Sequence, residues 1–156
     1  MTAVTHATFV IERAYLATPS QVFAAFADPA IKRRWFAADR GMGVEGFEMD
    51  FRVGGHDQSR YRMGEDTPFP GVLMVNDTVY QDIVPGSRIV FAYTMTIGER
   101  RISACLSTVE LAADGAGTRL TFTEQAAFFE GADGPAMRKD GWSGLLDRLG
   151  RTLDPR

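Results

Sequence analysis

The stretch from Gly117 to Leu153, GTRLTFTEQAAFFEGADGPAMRKDGWSGLLDRLGRTL, changes its hydrophobic period from two to 3.6 across a single loop. Leu120, Phe122, Ala126 and Phe128 share one parity, as the buried face of a strand requires, and Glu124 falls among them. Glu130 to Gly134 reads as the loop, and Pro135 suits the first turn of a helix that runs to about Leu153. Trp142, Leu145, Leu146, Leu149 and Leu153 then recur at helical spacing. Gly141 and Gly144 lower the propensity of this helix by about 1 kcal/mol each against Ala. Such glycines permit close backbone approach or leave space beside the helix.

Upstream, the same alternation repeats. Phe9 to Tyr15 predicts a first strand, with Phe9, Ile11, Arg13 and Tyr15 on one parity. Thr18-Pro19-Ser20 opens a helix, with Thr18 as its cap, and Asp28-Pro29 restarts the chain as a second short helix ending near Trp35-Phe36. Gly41 to Gly46 reads as a loop. Phe47, Met49, Phe51 and Val53 alternate with polar residues, Gly54-Gly55 turns, and a strand from about Asp57 to Met63 follows. After a loop over Gly64 to Pro70, Gly71 to Ile83 predicts a long strand, closed into a hairpin by Pro85-Gly86. Ile89, Phe91, Tyr93, Met95 and Ile97 form the next one. Between Ile102 and Leu111 the apolar parity switches, from Ile102, Ala104 and Leu106 to Val109 and Leu111, which a bulge would produce.

The order is one strand, two short helices, six strands in hairpin succession and one long helix. That predicts an α+β fold: a curved antiparallel sheet of six to seven strands wrapped around the long C-terminal helix, with a cavity between them. The 156 residues suit a single domain over 1–156 with a core that needs no disulfide, and Cys105 is the sole cysteine. A net charge of -3, with no basic block, argues against a nucleic-acid binder. Two histidines and one cysteine leave little material for a zinc site, and no cofactor is expected. The N-terminus lacks the features of a signal peptide and no apolar run is long enough to span a membrane, so the expectation is a cytoplasmic protein without a membrane partner.

Glu124 is the most informative residue, because alternation points a carboxylate at the core. It reads as a polar group in a ligand cavity, acting as an orienting group or as an acid or base. The alternatives are a bulge that turns it outward, or a structural salt bridge with Arg60 or Arg13. Arg60 and Arg13 themselves read either as ligands for an acidic group or as members of a solvated strand face. Trp35, Phe36, Tyr80, Tyr93 and Trp142 are large amphipathic aromatics suited to lining a pocket and equally to packing a core, with Trp142 the best placed. Met42, Met49, Met63, Met74 and Met95 would suit an adaptable apolar lining. His56 reads as an exposed turn residue, and Cys105 as a small buried hydrophobe with no base beside it. Neither a phosphate-binding glycine loop nor a nucleophile elbow occurs.

These strings also carry a family resemblance over nearly the whole chain. They are Phe9 to Arg13, Pro19 to Phe23, Asp28-Pro29, Arg34-Trp35-Phe36, Phe51 to Gly55, Asp82 to Pro85, Gly117 to Thr121, Thr123-Glu124-Gln125, Gly141-Trp142 and Leu145 to Leu149. The chain resembles the START-like, SRPBCC superfamily. Within it, the chain looks like the bacterial branch related to the C-terminal domain of the activator of the heat-shock-protein-90 ATPase. The resemblance implies a helix-grip fold, and its relatives include lipid carriers, polyketide cyclases and co-chaperone domains. Fold alone does not choose among these. The leading expectation is an internal cavity for a small apolar or amphipathic molecule, serving stress response or metabolism. Trp35, Phe36, Arg60, Tyr80, Tyr93, Glu124 and Trp142 are its candidate residues. The alternatives are a cyclase or hydratase using Glu124, and a protein-interaction module that contacts a chaperone or forms a homodimer, suggested by the two-sided apolar strand Gly71 to Ile83.

Overall fold

Alternation along Gly117–Phe128 holds without a break: Thr118, Leu120, Phe122, Glu124, Ala126 and Phe128 are all buried, and the residues between them are half-buried or exposed. In the computed structural model, which describes residues 3–37, 43–67 and 69–154, this strand is the seventh of a single antiparallel sheet. The elements in chain order are β1 (Thr5–Tyr15), α1 (Pro19–Ala27), α2 (Pro29–Trp35), β2 (Gly43–Met49), β3 (His56–Arg62), β4 (Leu73–Val84), β5 (Arg88–Ile97), β6 (Arg100–Asp114), β7 (Gly117–Phe128) and α3 (Pro135–Leu153). The spatial order is β1-β7-β6-β5-β4-β3-β2, so β2 to β7 form a meander and β1 closes the far side against β7. The expected fold class, an α+β helix-grip with a curved seven-stranded sheet, is the observed one. Met42 and part of the Gly41 to Gly46 loop lie outside the described residues, and β2 already begins at Gly43.

Local chemistry sets the two short helices. The Thr18 side chain accepts from the Gln21 backbone while the Gln21 side chain accepts from the Thr18 backbone, a reciprocal cap that satisfies two end groups of α1. The Asp28 side chain then caps α2 through Ala30, and Pro29 takes the position where no amide donor is needed. Trp35 ends α2 fully buried and donates its Nε1 to the Ala25 carbonyl at 2.8 Å, pinning α2 against α1.

The parity switch in β6 differs from the expected one. Met95 pairs with Ser103 and Thr96 with Arg101, so the extra residue is Ile102, at the start of the strand. Both Ile102 and Ser103 are buried, after which Cys105, Ser107, Val109 and Leu111 face inward. Ala104 and Leu106 lie on the outer face, because one bulged residue inverts every side chain that follows.

α3 buries Trp142, Leu145, Leu146 and Leu149 against the inner face of the sheet. Each contributes about 1.5–3 kcal/mol by leaving water. Polar ties fix its angle: Tyr15 donates to the Leu146 carbonyl at 2.8 Å, and Arg13 holds Asp147 at 2.8 Å and the Ser143 hydroxyl. Among the described residues no helix is long and apolar enough to cross a membrane.

Candidate functional site

Between α3 and the inner face of β3 to β6 lies a cleft of about 340 Å³. Methionine supplies much of its wall: Met63, Met74, Met95 and Met137, with Ile97 and Ile102 beside them. Phe36, Tyr61, Trp142 and Leu145 complete the apolar lining, and Gly141 on α3 borders open space, with no atom from outside its own stretch of helix within 4 Å of where its Cβ would stand. The polar lining consists of Asn76, Tyr93, Asp133 and Arg138. A larger hollow of about 640 Å³ on the outside of the sheet, bounded by His6, Thr8, Leu106 and Gln125, is an open depression with no helix over it.

Arg138 organises the polar end of the cleft. From the second turn of α3 it donates Nε and Nη2 to the two Asp133 oxygens at 2.8 and 2.7 Å. Nη2 also reaches Ser103 at 2.9 Å, and Nη1 reaches the Tyr93 hydroxyl at 3.1 Å and Cys105 Sγ at 3.5 Å. Trp142 donates Nε1 to the same Tyr93 oxygen at 3.2 Å. Tyr93 in turn donates to Glu124 Oε1 at 2.8 Å, and Ser107 donates to it at 2.9 Å. Glu124 Oε2 is buried with no hydrogen-bond partner. Burial is the main cause that raises the Glu124 carboxyl above its ordinary range, against the Tyr93 and Ser107 hydrogen bonds, which pull it down. Burial likewise pushes the Cys105 thiol up to about 11, so it is no ready nucleophile.

A second buried cluster sits behind the cleft. Lys32 on α2 donates to Asp57 Oδ2 at 3.0 Å and to the Tyr80 hydroxyl at 3.1 Å, and Tyr80 donates to the same carboxylate oxygen. Its ammonium lies 4.8 Å from the centre of the Phe36 ring. Burial lowers the Lys32 pKa below the usual lysine range, against the pull of Asp57. A void of about 10 Å³, the size of one water, separates this cluster from the cleft; Phe36, Asn76, Tyr93 and Trp142 line both.

The structure brings Phe36, Tyr93 and Trp142 to the cleft wall, packed on one another and on Phe91 and Phe122. Trp35 and Tyr80 lie deeper, around the void. Glu124 is behind Tyr93, at 0% exposure and outside the cleft lining. No bulge turns it, and neither Arg60 nor Arg13 pairs with it. Arg60 is on the outer face, because Asp57, Ser59 and Tyr61 take the inward parity of β3. There its guanidinium packs over Gly46, donates to Gln58 and lies 3.9 Å from Glu48. His56 is exposed at the start of β3. Among the described residues no group of His, Cys, Asp or Glu is arranged to hold a metal ion.

The sequence reading passed over Arg138, Asp133, Ser103, Ser107, Lys32 and Asp57. For Arg138 a signal existed: it stands four residues before Trp142, one step back along the apolar stripe of α3. Lys32 stands four residues before Phe36 in the same way.

The model of the family described as activator of Hsp90 ATPase homolog 1-like protein matches residues 16–154. A solved structure from Rhizobium leguminosarum superposes with a TM-score of 0.92 at 38% identity, covering 100% of this chain and 99% of that one. The Mll3558 protein from Rhizobium loti gives 0.85 at 47% identity, with 96% and 99% covered. An AHSA1-like protein from Aeromonas hydrophila shares the fold at 21% identity, with a TM-score of 0.70 over 96% of this chain and 93% of that one. Curated proteins give no match. With a family model spanning residues 16–154 and two close structural relatives over nearly its whole length, the chain belongs to the activator of Hsp90 ATPase homolog 1-like family, within the START-like SRPBCC superfamily.

Proposed function

We propose that the protein binds a small apolar or amphipathic molecule in the cleft between the sheet and α3. The observation that carries this is the cleft itself: about 340 Å³, walled chiefly by methionine, isoleucine and aromatic side chains, inside a fold otherwise packed tightly around Trp142. A space of that size is at the lower end of small-molecule sites, which favours a ligand about as large as a bicyclic aromatic. Four flexible thioethers allow the lining to adapt to its occupant.

Acid–base turnover by Glu124 has less support. Its carboxyl reaches the cleft only through the Tyr93 hydroxyl, which already accepts from Arg138 and Trp142 and donates to Glu124. No observation favours a chaperone contact or a homodimer over ligand binding.

Native mass spectrometry of freshly purified protein, set against its denatured mass, tests the proposal. The expected result is a non-covalent adduct of a few hundred daltons, or saturable uptake of an added naphthyl probe with a shift in tryptophan emission. A clean monomer that takes up no probe overturns it, and a clean dimer moves the weight to self-association.

A further inference from the structure

Every charged group at the cleft is already matched within the protein. All five Arg138 N–H donors are used: Asp133 takes Nε and one Nη2 hydrogen, and Ser103, Tyr93 and Cys105 take the others. The two Asp133 oxygens are filled by the same guanidinium. Lys32, behind the cleft, is balanced by Asp57, and Arg13 and Arg60 are turned elsewhere. A ligand anion would therefore have to displace Asp133, which is tethered five residues from its partner; a ligand cation would have to displace Arg138.

The uncharged donors are nearly exhausted as well. Trp142 Nε1 and the Tyr93 hydroxyl are spent within the network, and the Tyr61 hydroxyl donates to the Phe36 carbonyl at 3.0 Å. Asn76 is the exception. Its Oδ1 accepts from Thr78 Oγ1 at 3.2 Å, and among the described residues its amide NH2 donates to no protein group. It stands at the boundary of the cleft and the deeper void. Directly across from it on β3 is Ser59, 2% exposed, whose Oγ also lacks a partner. A buried group left open as Ser59 Oγ is loses free energy that a partner would restore, and the half-buried Asn76 amide is free to donate to an acceptor in the cleft.

Building on the ligand-binding reading, we infer that the ligand is uncharged and carries one hydrogen-bond-accepting oxygen, as a ketone, ester or aryl ether does, which docks on the Asn76 amide while an apolar body fills the methionine-lined cleft.

Three probes with the same number of non-hydrogen atoms separate the alternatives: 2-acetylnaphthalene, the hydrocarbon 2-isopropylnaphthalene and 2-naphthoate, titrated at pH 7.5 into protein labelled with 13C at the methionine methyls. Met63, Met74, Met95 and Met137 report occupancy of the cleft directly. The ketone is expected to bind roughly five-fold tighter than the hydrocarbon, the worth of one neutral hydrogen bond, and tighter still than the carboxylate. In Asn76→Leu and Asn76→Val the ketone and the hydrocarbon are expected to bind alike, with well-dispersed methyl spectra showing that both variants are folded. Equal binding of ketone and hydrocarbon by the unaltered protein overturns the inference, as does a ketone preference that survives in both variants. Tightest binding by the naphthoate also overturns it, because Asp133 would then be a displaceable occupant of Arg138. If none of the three saturates, it is the ligand-binding reading that falls.

Discussion

Glu124 sits at 0% exposure with one oxygen accepting from two hydroxyls and the other unpartnered, an arrangement that suits a protonated carboxyl better than a charged one. Its folded pKa is raised above the ordinary 4.5, mainly by burial. The folded state therefore holds its proton more tightly than the unfolded chain does. The stability this adds is complete below pH 4.5 and is lost as the pH rises through the folded value. Glu124→Gln reproduces the neutral side chain, so its unfolding free energy at pH 7 is expected to equal or exceed that of the parent protein. The downward slope between pH 4.5 and 7 should flatten, as measured by urea denaturation across that range. A steeper loss in the variant at neutral pH would mean that the carboxylate form is the one the fold requires. That Glu124 faces inward was legible from parity alone. Its partners were not, because Tyr93 and Ser107 reach it only through strand register. Residues far apart in sequence meet there by tertiary packing, which local periodicity does not encode.

Elements are held at their angles by buried polar ties as well as by apolar burial. The tie of α2 to the sheet is the Lys32, Asp57 and Tyr80 cluster, with side chains of the ion pair 8% and 5% exposed. Removing one member of a buried pair leaves the other charge uncompensated, whereas removing both does not. Lys32→Met is expected to cost about 3–5 kcal/mol. The double variant Lys32→Met, Asp57→Asn should recover most of that loss in chemical denaturation; additive losses would show that the two residues act independently. The element order, all three helices and the β7 alternation were readable because each rests on local signals: Thr18 and Asp28 as caps, prolines at helix starts, period-two runs between glycine turns. Apolar parity signals the β6 bulge but places it too late in the strand. Ala104 and Leu106 look like core residues, yet the extra residue is Ile102, and only the pairing of Met95 with Ser103 locates it.

At the scale of the whole molecule, a sheet that grips one helix trades packing for space, and Gly141 marks where that trade is made. Its neighbour Trp142 is buried against Phe122, with ring centres 4.3 Å apart, so the helix cannot retreat from the sheet at this level. At Gly141 the wall of the cleft opens, with no atom from outside its own stretch of helix within 4 Å of a notional Cβ. A glycine in a helix interior forfeits about 1 kcal/mol against alanine, and Gly141 stands exposed at the edge of the cleft, where a side chain has room. Gly141→Ala is therefore expected to raise the unfolding free energy by about 1 kcal/mol and to leave 2-acetylnaphthalene binding within a few-fold of the parent. Gly141→Phe places a ring beside the cleft. It is expected to keep the fold while weakening probe binding at least ten-fold, seen as methionine methyl signals that no longer respond. If Gly141→Phe binds the probe as the parent does, the occupied space is not the one between α3 and the sheet. If Gly141→Ala lowers stability instead, the backbone at 141 is held by contacts that a methyl group disturbs, and the glycine is there for packing. Higher stability in Gly141→Ala together with lost probe binding in Gly141→Phe would show that the cleft is maintained at the expense of the helix that covers it.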